Sequence, residues 1–293
     1  MGVLTNLING ISLGSVYAII ALGDTMVYGI AKMLNFAHGD VIMVGGYLCF
    51  ISMTNLGLPP LVGVLLAVVG CTCLGIVVER LAYKPLRGAP SLAVLITAIG
   101  VSYFLQNSAL LIWGANPKAF TSVIPLPSVS LFDGQLVISS VTIATVLVAI
   151  AVMVGLTLFT SRTKMGKAMR ACSEDKGAAQ LMGINVNSTI SMVFAIGSGL
   201  AAIAGVLLCS AYPTLMPTTG SMPGIKAFTA AVLGGIGSIP GAALGGVMLC
   251  IIEIFAKAYL GTQFADAIVF AVLIVVLLIR PAGLLGKEIH EKV

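Results

Sequence analysis

The longest uncharged stretch of the chain constrains its fold more than any other sequence feature. From Gly177 to Ile225, 49 residues pass without one Asp, Glu, Lys or Arg. Over the whole chain 9% of residues are charged and 59% are hydrophobic, whereas a soluble domain carries about 25% charged residues. A charge at the bilayer centre costs about 2.5–3.5 kcal/mol on insertion scales. The sequence therefore predicts an all-α polytopic membrane protein.

Apolar segments long enough to cross a bilayer recur along the chain, each crossing needing about 20 residues. The clear candidates are 7–28, 41–55, 61–78, 92–113, 137–160, 189–212, 243–256 and 263–279. A further segment, 223–240, is shorter and rich in glycine, so we interpret it as a broken or re-entrant span. The prediction is about 8–9 transmembrane helices in a single domain covering residues 1–293.

Basic residues predict which ends of the spans face the cytoplasm, because Lys and Arg in short loops resist translocation. The loop 161–187 carries the densest group, namely Arg162, Lys164, Lys167, Arg170 and Lys176. Two other segments are also basic, through Arg80, Lys84 and Arg87 and through Arg280, Lys287 and Lys292. Counting crossings between these segments predicts an external N-terminus and a cytoplasmic C-terminus, and it favours nine crossings.

The basic loop also has helical periodicity. Its apolar residues recur at helical spacing, as Met165, Ala168, Met169 and Cys172, and then as Ala178, Ala179, Leu181 and Met182. Gly183 follows directly, where glycine commonly ends a helix. We predict a short amphipathic helix, which suits either the membrane surface or the groove of a partner protein.

A polar turn at residues 33–40 separates the first two apolar segments. Asn35 and Asp40 are residue types that cap helix starts, and Gly39 permits unusual backbone angles. His38 is either a hydrogen-bonded structural residue or part of a functional site. On the residues alone, a simple turn between two spans is the favoured interpretation.

The run 234–241, with sequence GGIGSIPG, indicates a broken helix. Irregular backbone at membrane depth is tolerated where it is buried in protein or lines a cavity. A phosphate-binding loop is the rival interpretation, and it fails because no G-x-x-x-x-G-K-[ST] motif occurs in the chain. We expect Gly235→Leu or Gly237→Leu to disrupt this segment, and Gly246→Ala to be mild.

Three acids lie in or beside apolar segments, namely Asp24, Glu253 and Asp266. For Asp24 and Glu253 two interpretations stay open: each pairs with a nearby lysine, Lys32 or Lys257, or each belongs to a transport pathway. Asp266 is expected to be solvated.

Catalysis has little support, since the chain has no zinc motif and only two histidines, His38 and His290. The six cysteines lack metal-ligand spacing, and no basic face with aromatic residues suggests nucleic-acid binding. We predict no metal and no cofactor.

Four motifs resemble those of one transporter family. Residues 33–47 (MLNFAHGDVIMVGGY), 169–184 (MRACSEDKGAAQLMGI), 226–246 (KAFTAAVLGGIGSIPGAALGG) and 280–286 (RPAGLLG) are similar to the permease subunit of branched-chain amino acid ABC importers. The resemblance covers nearly the whole chain and is specific for the Liv-type family. It is less specific for substrate, because permeases for urea and short-chain amides are relatives.

The resemblance implies a non-catalytic subunit in the bacterial inner membrane, surrounded by lipid. Its implied partners are a second related permease, two cytoplasmic ATPase subunits that hydrolyse ATP, and an external substrate-binding protein. The loop 161–187 matches the coupling helix that docks the ATPase, through a loosened E-A-A…G pattern. The implied coupling residues are Arg170, Glu174, Asp175, Ala178, Ala179, Met182 and Gly183.

The resemblance implies alternating-access import of leucine, isoleucine or valine. The zwitterionic headgroup of such a substrate needs polar contacts, for which the candidates are Asn35, His38, Gly234, Gly235 and Gly237. Urea, short-chain amides and other amino acids are alternative substrates. An ion-coupled secondary transporter is the alternative mechanism, although the chain is poor in the intramembrane charges that such a transporter uses. A scaffold protein has no positive support.

Overall fold

Helices make up nearly all the regular structure of this chain. The computed structural model describes residues 2–125, 127–131 and 136–286. Its helices are α1 (Gly2–Ala31), α2 (His38–Thr54), α3 (Pro60–Val78), α4 (Ser91–Trp113), α5 (Ser140–Arg162), α6 (Lys164–Glu174), α7 (Lys176–Leu181), α8 (Val186–Ala211), α9 (Ser221–Gly234), α10 (Ile239–Tyr259) and α11 (Thr262–Ile279). A π turn, Glu79–Tyr83, and a 3-10 turn, Lys84–Leu86, extend α3. Lys287, His290 and Lys292 lie outside the described residues.

The all-α polytopic fold is confirmed. Among the described residues, 7 helices are long and apolar enough to cross a membrane, namely α1, α3 with its extension, α4, α5, α8, α10 and α11. The other two predicted segments are helical but shorter, since α2 has 17 residues and α9 has 14. At 1.5 Å per residue they extend about 21–26 Å, less than the hydrocarbon core of about 30 Å.

The fifth span begins later than predicted. Residues 136–138 form strand β3 (Leu136–Ile138), which pairs antiparallel with β2 (Val129–Leu131). Helix α5 starts at Ser140 because the hydroxyl of Ser139 accepts a hydrogen bond from the Val141 N–H and so caps the helix. A second two-stranded ladder joins β1 (Lys118–Ala119) to β4 (Thr214–Leu215).

Glycines bring the central helices into backbone contact. Helix α1 lies antiparallel to α10, and a Cβ at Gly14 would lie 2.7 Å from the Val247 Cα. A Cβ at Gly246 would lie 2.7 Å from the Ala18 nitrogen, so the expectation that Gly246→Ala is mild is wrong. The contact is backbone on backbone, and no side chain can move aside. Small residues of this kind let transmembrane helices approach closely.

One end of the bundle gathers the basic segments, and we call it the basic end. There the Lys176 Nζ donates a hydrogen bond to the Ala31 carbonyl at 2.6 Å, and Arg87 donates to Asn187. Gly235, after α9, touches the backbone of Gly286. The loops assigned to one side of the membrane from their charge thus lie together. Because α1 ends here, its first residues lie at the opposite end.

Both short helices begin inside the bundle. After α1 ends at the basic end, residues 32–37 turn back along it, and His38 contacts Gly23, about 12 Å along α1 from Ala31. Helix α9 begins at the same place, since a Cβ at Gly39 would lie 2.6 Å from the Gly220 carbonyl oxygen. The N-termini of α2 and α9 therefore meet in the interior.

Candidate functional site

A small cavity of about 10 Å³ lies where α2 and α9 begin. It is lined by Asp24, Leu34, Asn35, Phe36, His38, Gly39, Gly224 and Phe228. Helix α1 supplies the acid, residues 32–37 supply one wall, and the two short helices supply the rest. Two of the residues predicted for the pathway, Asn35 and His38, are thus brought to one cavity.

Two ionisable side chains in this cavity lack ordinary partners. His38 is 1% exposed and Asp24 6% exposed, and the His38 Nδ1 lies 4.0 Å from the Asp24 Oδ1. Among the described residues, neither ring nitrogen of His38 makes a hydrogen bond of normal geometry, although the ring faces the Ile20 carbonyl. The contact found for the Asp24 carboxylate is this 4.0 Å approach of His38. Of the two alternatives for Asp24, pairing with Lys32 is not found, because Lys32 follows α1 as an exposed residue, at a φ of 57°. Buried polar groups almost always have a partner, so Asp24 and His38 are candidates for a ligand site.

Asn35 and Asp40 anchor the cavity wall. The Asn35 Oδ1 accepts a hydrogen bond from the Tyr83 hydroxyl at 2.8 Å, and the Asp40 Oδ1 accepts one from the Gln106 Nε2 at 2.9 Å. Helix α2 has Ala37 at its N-cap, with no side-chain cap. The capping role predicted for Asn35 and Asp40 is wrong, since α3 and α4 offer partners that a single sequence does not reveal.

The predicted break at residues 234–241 is present, and it lies at the basic end. Helix α9 ends at Gly234, and Gly235 and Gly237 take φ values of 104° and 89°, which favour glycine. Ser238 caps α10, and its hydroxyl accepts from the Gly241 N–H. None of the three glycines predicted for the pathway lines the central cavity. The break reaches α1 through a 3.1 Å hydrogen bond from the Gly237 N–H to Thr25.

The basic loop forms two helices, α6 and α7. The chain is extended at Asp175, whose carboxylate caps α7 by accepting from the Gly177 and Ala178 N–H groups. Gly183 ends α7 as predicted, with a φ of 80° and hydrogen bonds from Gly183 to Gln180 and from Ile184 to Ala179. These two bonds form a Schellman motif.

The residues of the predicted coupling surface differ in exposure. Ala179 is buried, together with Met169 and Cys172 on α6. The others are exposed, namely Arg170, Glu174, Asp175, Ala178, Met182 and Gly183. Leu181 and Met182 are 90% and 83% exposed, so the tip of α7 presents apolar side chains beyond the bundle.

Lys176, at the start of α7, connects the loop to the bundle. Its hydrogen bond reaches Ala31, directly before the segment that lines the cavity. Burial, with added repulsion from Arg87 and Lys32, lowers the pKa of Lys176. The sequence indicated Lys176 only as one basic residue of the loop, since its partner lies far away along the chain.

Four charged residues form a second cluster between α9, α10 and α11. The Lys226 Nζ lies 2.8 Å from the Glu253 Oε1 and 2.5 Å from the Asp266 Oδ1. Lys257 also donates to Glu253, at 2.6 Å, as predicted. Asp266 is ion-paired as well as 45% exposed. Lys226 was missed because its partners are distant in sequence. These charges neutralise one another.

A polytopic helical bundle with short helices meeting at a buried polar cavity, and with an amphipathic loop outside it, is the arrangement of a membrane transport permease. The chain belongs to the family described as branched-chain amino acid transport system / permease component, whose model matches residues 6–277.

Characterised relatives align over nearly their full length. The chain is 48% identical to the high-affinity branched-chain amino acid transport system permease protein BraD of Pseudomonas aeruginosa, over 99% of this chain and 98% of the relative. It is 45% identical to the corresponding protein LivH of Escherichia coli K12, over 99% and 97%. A probable archaeal LivH, from Methanocaldococcus jannaschii, is 29% identical over 92% and 88%.

Proposed function

We propose that this chain is a transmembrane subunit of an ATP-driven importer that carries leucine, isoleucine and valine across the bacterial inner membrane. The observation that carries the proposal is the full-length similarity to two permeases of high-affinity branched-chain amino acid transport, at 48% and 45% identity. The alignments cover 99% of this chain and 97–98% of the two relatives, which supports the same role for the whole protein. Urea and short-chain amides have no comparable support.

ATP hydrolysis is assigned to separate ATPase subunits. The tip of α7, with its exposed Leu181 and Met182, is an apolar surface suited to a groove on such a subunit. Through Lys176 and Ala31, movement of this loop reaches the segment that lines the central cavity. A second related permease in the membrane and an external binding protein complete the assembly.

The basic end of the bundle is assigned to the cytoplasm. The basic loops that meet there resist translocation, and α1 then starts outside. Substrate enters from a binding protein at the opposite end and passes, by alternating access, along a path between this subunit and the second permease.

The test of this proposal must distinguish ATP-driven import from ion-coupled transport. Glu253 and Asp266 are paired with lysines of the same chain, so they do not supply the unmatched charge that a coupling ion needs. Asp24 has no lysine or arginine paired with it among the described residues, so the test must decide whether a coupling ion uses this acid. Reconstitution of the chain with its genomically neighbouring permease, ATPases and binding protein provides the test. Uptake of labelled leucine should require ATP and survive collapse of proton and sodium gradients. Uptake that continues without ATP and stops with an ionophore would refute the importer.

A further inference from the structure

The interior cavity combines opposite electrostatic features within a few residues. Gly39, in the first turn of α2, and Gly224, in the first turn of α9, both line it. No side chain caps either helix, and each N-terminus carries about half a positive elementary charge. The Asp24 carboxylate faces the same cavity from α1. The two N-termini thus favour an anion, an effect reduced by the Asp40 carboxylate in the first turn of α2, and Asp24 favours a cation.

The unpartnered side chains indicate what the cation must offer. Asp24 has only acceptor oxygens, and a neutral His38 has one donor and one acceptor nitrogen. Their 4.0 Å separation exceeds a hydrogen bond. A primary ammonium carries three N–H donors, so it can bond the Asp24 carboxylate and the acceptor nitrogen of His38 together. The other ring nitrogen of His38 would keep its proton and donate it to the Ile20 carbonyl.

We propose, resting on the function proposed above, that this cavity binds the zwitterionic headgroup of an α-amino acid on its way through the importer. Three of its lining residues, Leu34, Phe36 and Phe228, are partly exposed, so the cavity lies close to the subunit surface. Asp24 and His38 accept hydrogen bonds from the α-ammonium group, and the N-termini of α2 and α9 face the α-carboxylate. Leu34, Phe36 and Phe228 provide apolar contacts for the branched side chain.

The structure shows the site closed. A cavity of about 10 Å³ is too small for an amino acid, and the rings of Phe36 and Phe228 stand 6.1 Å apart across its edge. Residues 32–37 carry Phe36 and lie outside the helices, and the hydrogen bond from Tyr83 to Asn35 holds them in the closed position. Displacement of this segment, which joins Ala31 to α2, is the movement that would widen the site.

Protection of an introduced cysteine tests the proposal. Leu34→Cys is placed in the chain, and the complete importer is purified in detergent, so that small molecules reach both faces. The rate at which a neutral methanethiosulfonate modifies the cysteine is measured in the presence of each of three compounds. They are leucine, 3-methylbutylamine, which lacks the carboxylate, and 4-methylpentanoate, which lacks the ammonium group. All three should slow modification, and leucine should act at the lowest concentration.

Asp24→Asn separates recognition from a structural role. Loss of a hydrogen bond between charged groups should raise the protecting concentration of leucine and 3-methylbutylamine about tenfold or more, and leave 4-methylpentanoate unchanged. Asp266→Asn is the matched control, because Lys226 keeps its bond to Glu253, and it should alter none of the three values.

Two results would overturn the site. One is an importer that transports leucine although leucine gives no protection; the other is an Asp24→Asn variant that loses protection by all three compounds equally. Protection by sodium ions alone, at constant pH, would identify a cation site and would also overturn it. The proposed function fails separately, if the unmodified importer shows no ATP-driven leucine uptake.

Discussion

Single glycines matter in this protein where two backbones touch. Gly246 lies against Ala18, whereas Gly100 on α4 has no heavy atom within 4 Å of the place that a Cβ would occupy. Both positions look alike in the sequence, since each is a glycine in an apolar helix. The difference depends on the neighbour, and the sequence alone therefore led to the wrong expectation for Gly246.

The Gly246→Ala substitution is accordingly predicted to destabilise the protein. Forcing a methyl group between α1 and α10 should cost about 1–3 kcal/mol, in the range of an overpacked core. Thermal unfolding of the purified protein in detergent should show a lower midpoint for Gly246→Ala and an unchanged or higher one for Gly100→Ala. Equal midpoints for the two variants would show that α1 and α10 separate easily.

The two helices of the basic loop differ in how far their apolar side chains are buried. Helix α6 buries Met169 and Cys172 against the bundle, while α7 exposes Leu181 and Met182 at its tip. Periodicity predicted helical structure here, and Gly183 ends it as expected. The extended residue between the helices, Asp175, was not predicted, because its role depends on which backbone N–H groups lie within reach of its carboxylate.

Met182→Glu tests the exposed tip without disturbing the fold. Since the side chain is 83% exposed, the variant should insert and unfold like the parent, yet a charge in an apolar docking surface should reduce leucine uptake at least about tenfold. Ser188→Glu is the control, an exposed position in the first turn of α8, where a negative charge is tolerated. Normal uptake by Met182→Glu would remove α7 from the coupling surface.

Across the whole bundle, the distribution of basic residues agrees with the packing. Arg87, Lys176 and Gly286 belong to segments far apart in the chain, and all lie at one end. Helix α4 runs away from this end, so the residues after Trp113 lie at the other. The structure thus brings the basic segments together at one end, and the assignment of that end to the cytoplasm rests on their charge.

Fusion reporters test that orientation. A reporter active only outside the cytoplasm should be active after Asn116 and inactive after Lys176, because α4 and the basic loop end on opposite sides. A cysteine at Thr5 should react with a membrane-impermeant reagent added from outside. Protection of that cysteine in intact cells, with labelling only after lysis, would reverse the position assigned to α1.

The sequence alone determined the features that depend on composition and on neighbouring residues. Hydrophobic length predicts the spans, charge predicts which loops lie together, and the glycines at 234–241 predict the break, because each acts through the local cost of placing that residue in a helix or in lipid. Only the tertiary structure decided that Asp24 lies beside His38, which residues Lys226 and Lys176 bond, and that the N-termini of α2 and α9 meet. These contacts join residues distant along the chain, and their free energy depends on a separation in space that one sequence does not encode in any local pattern.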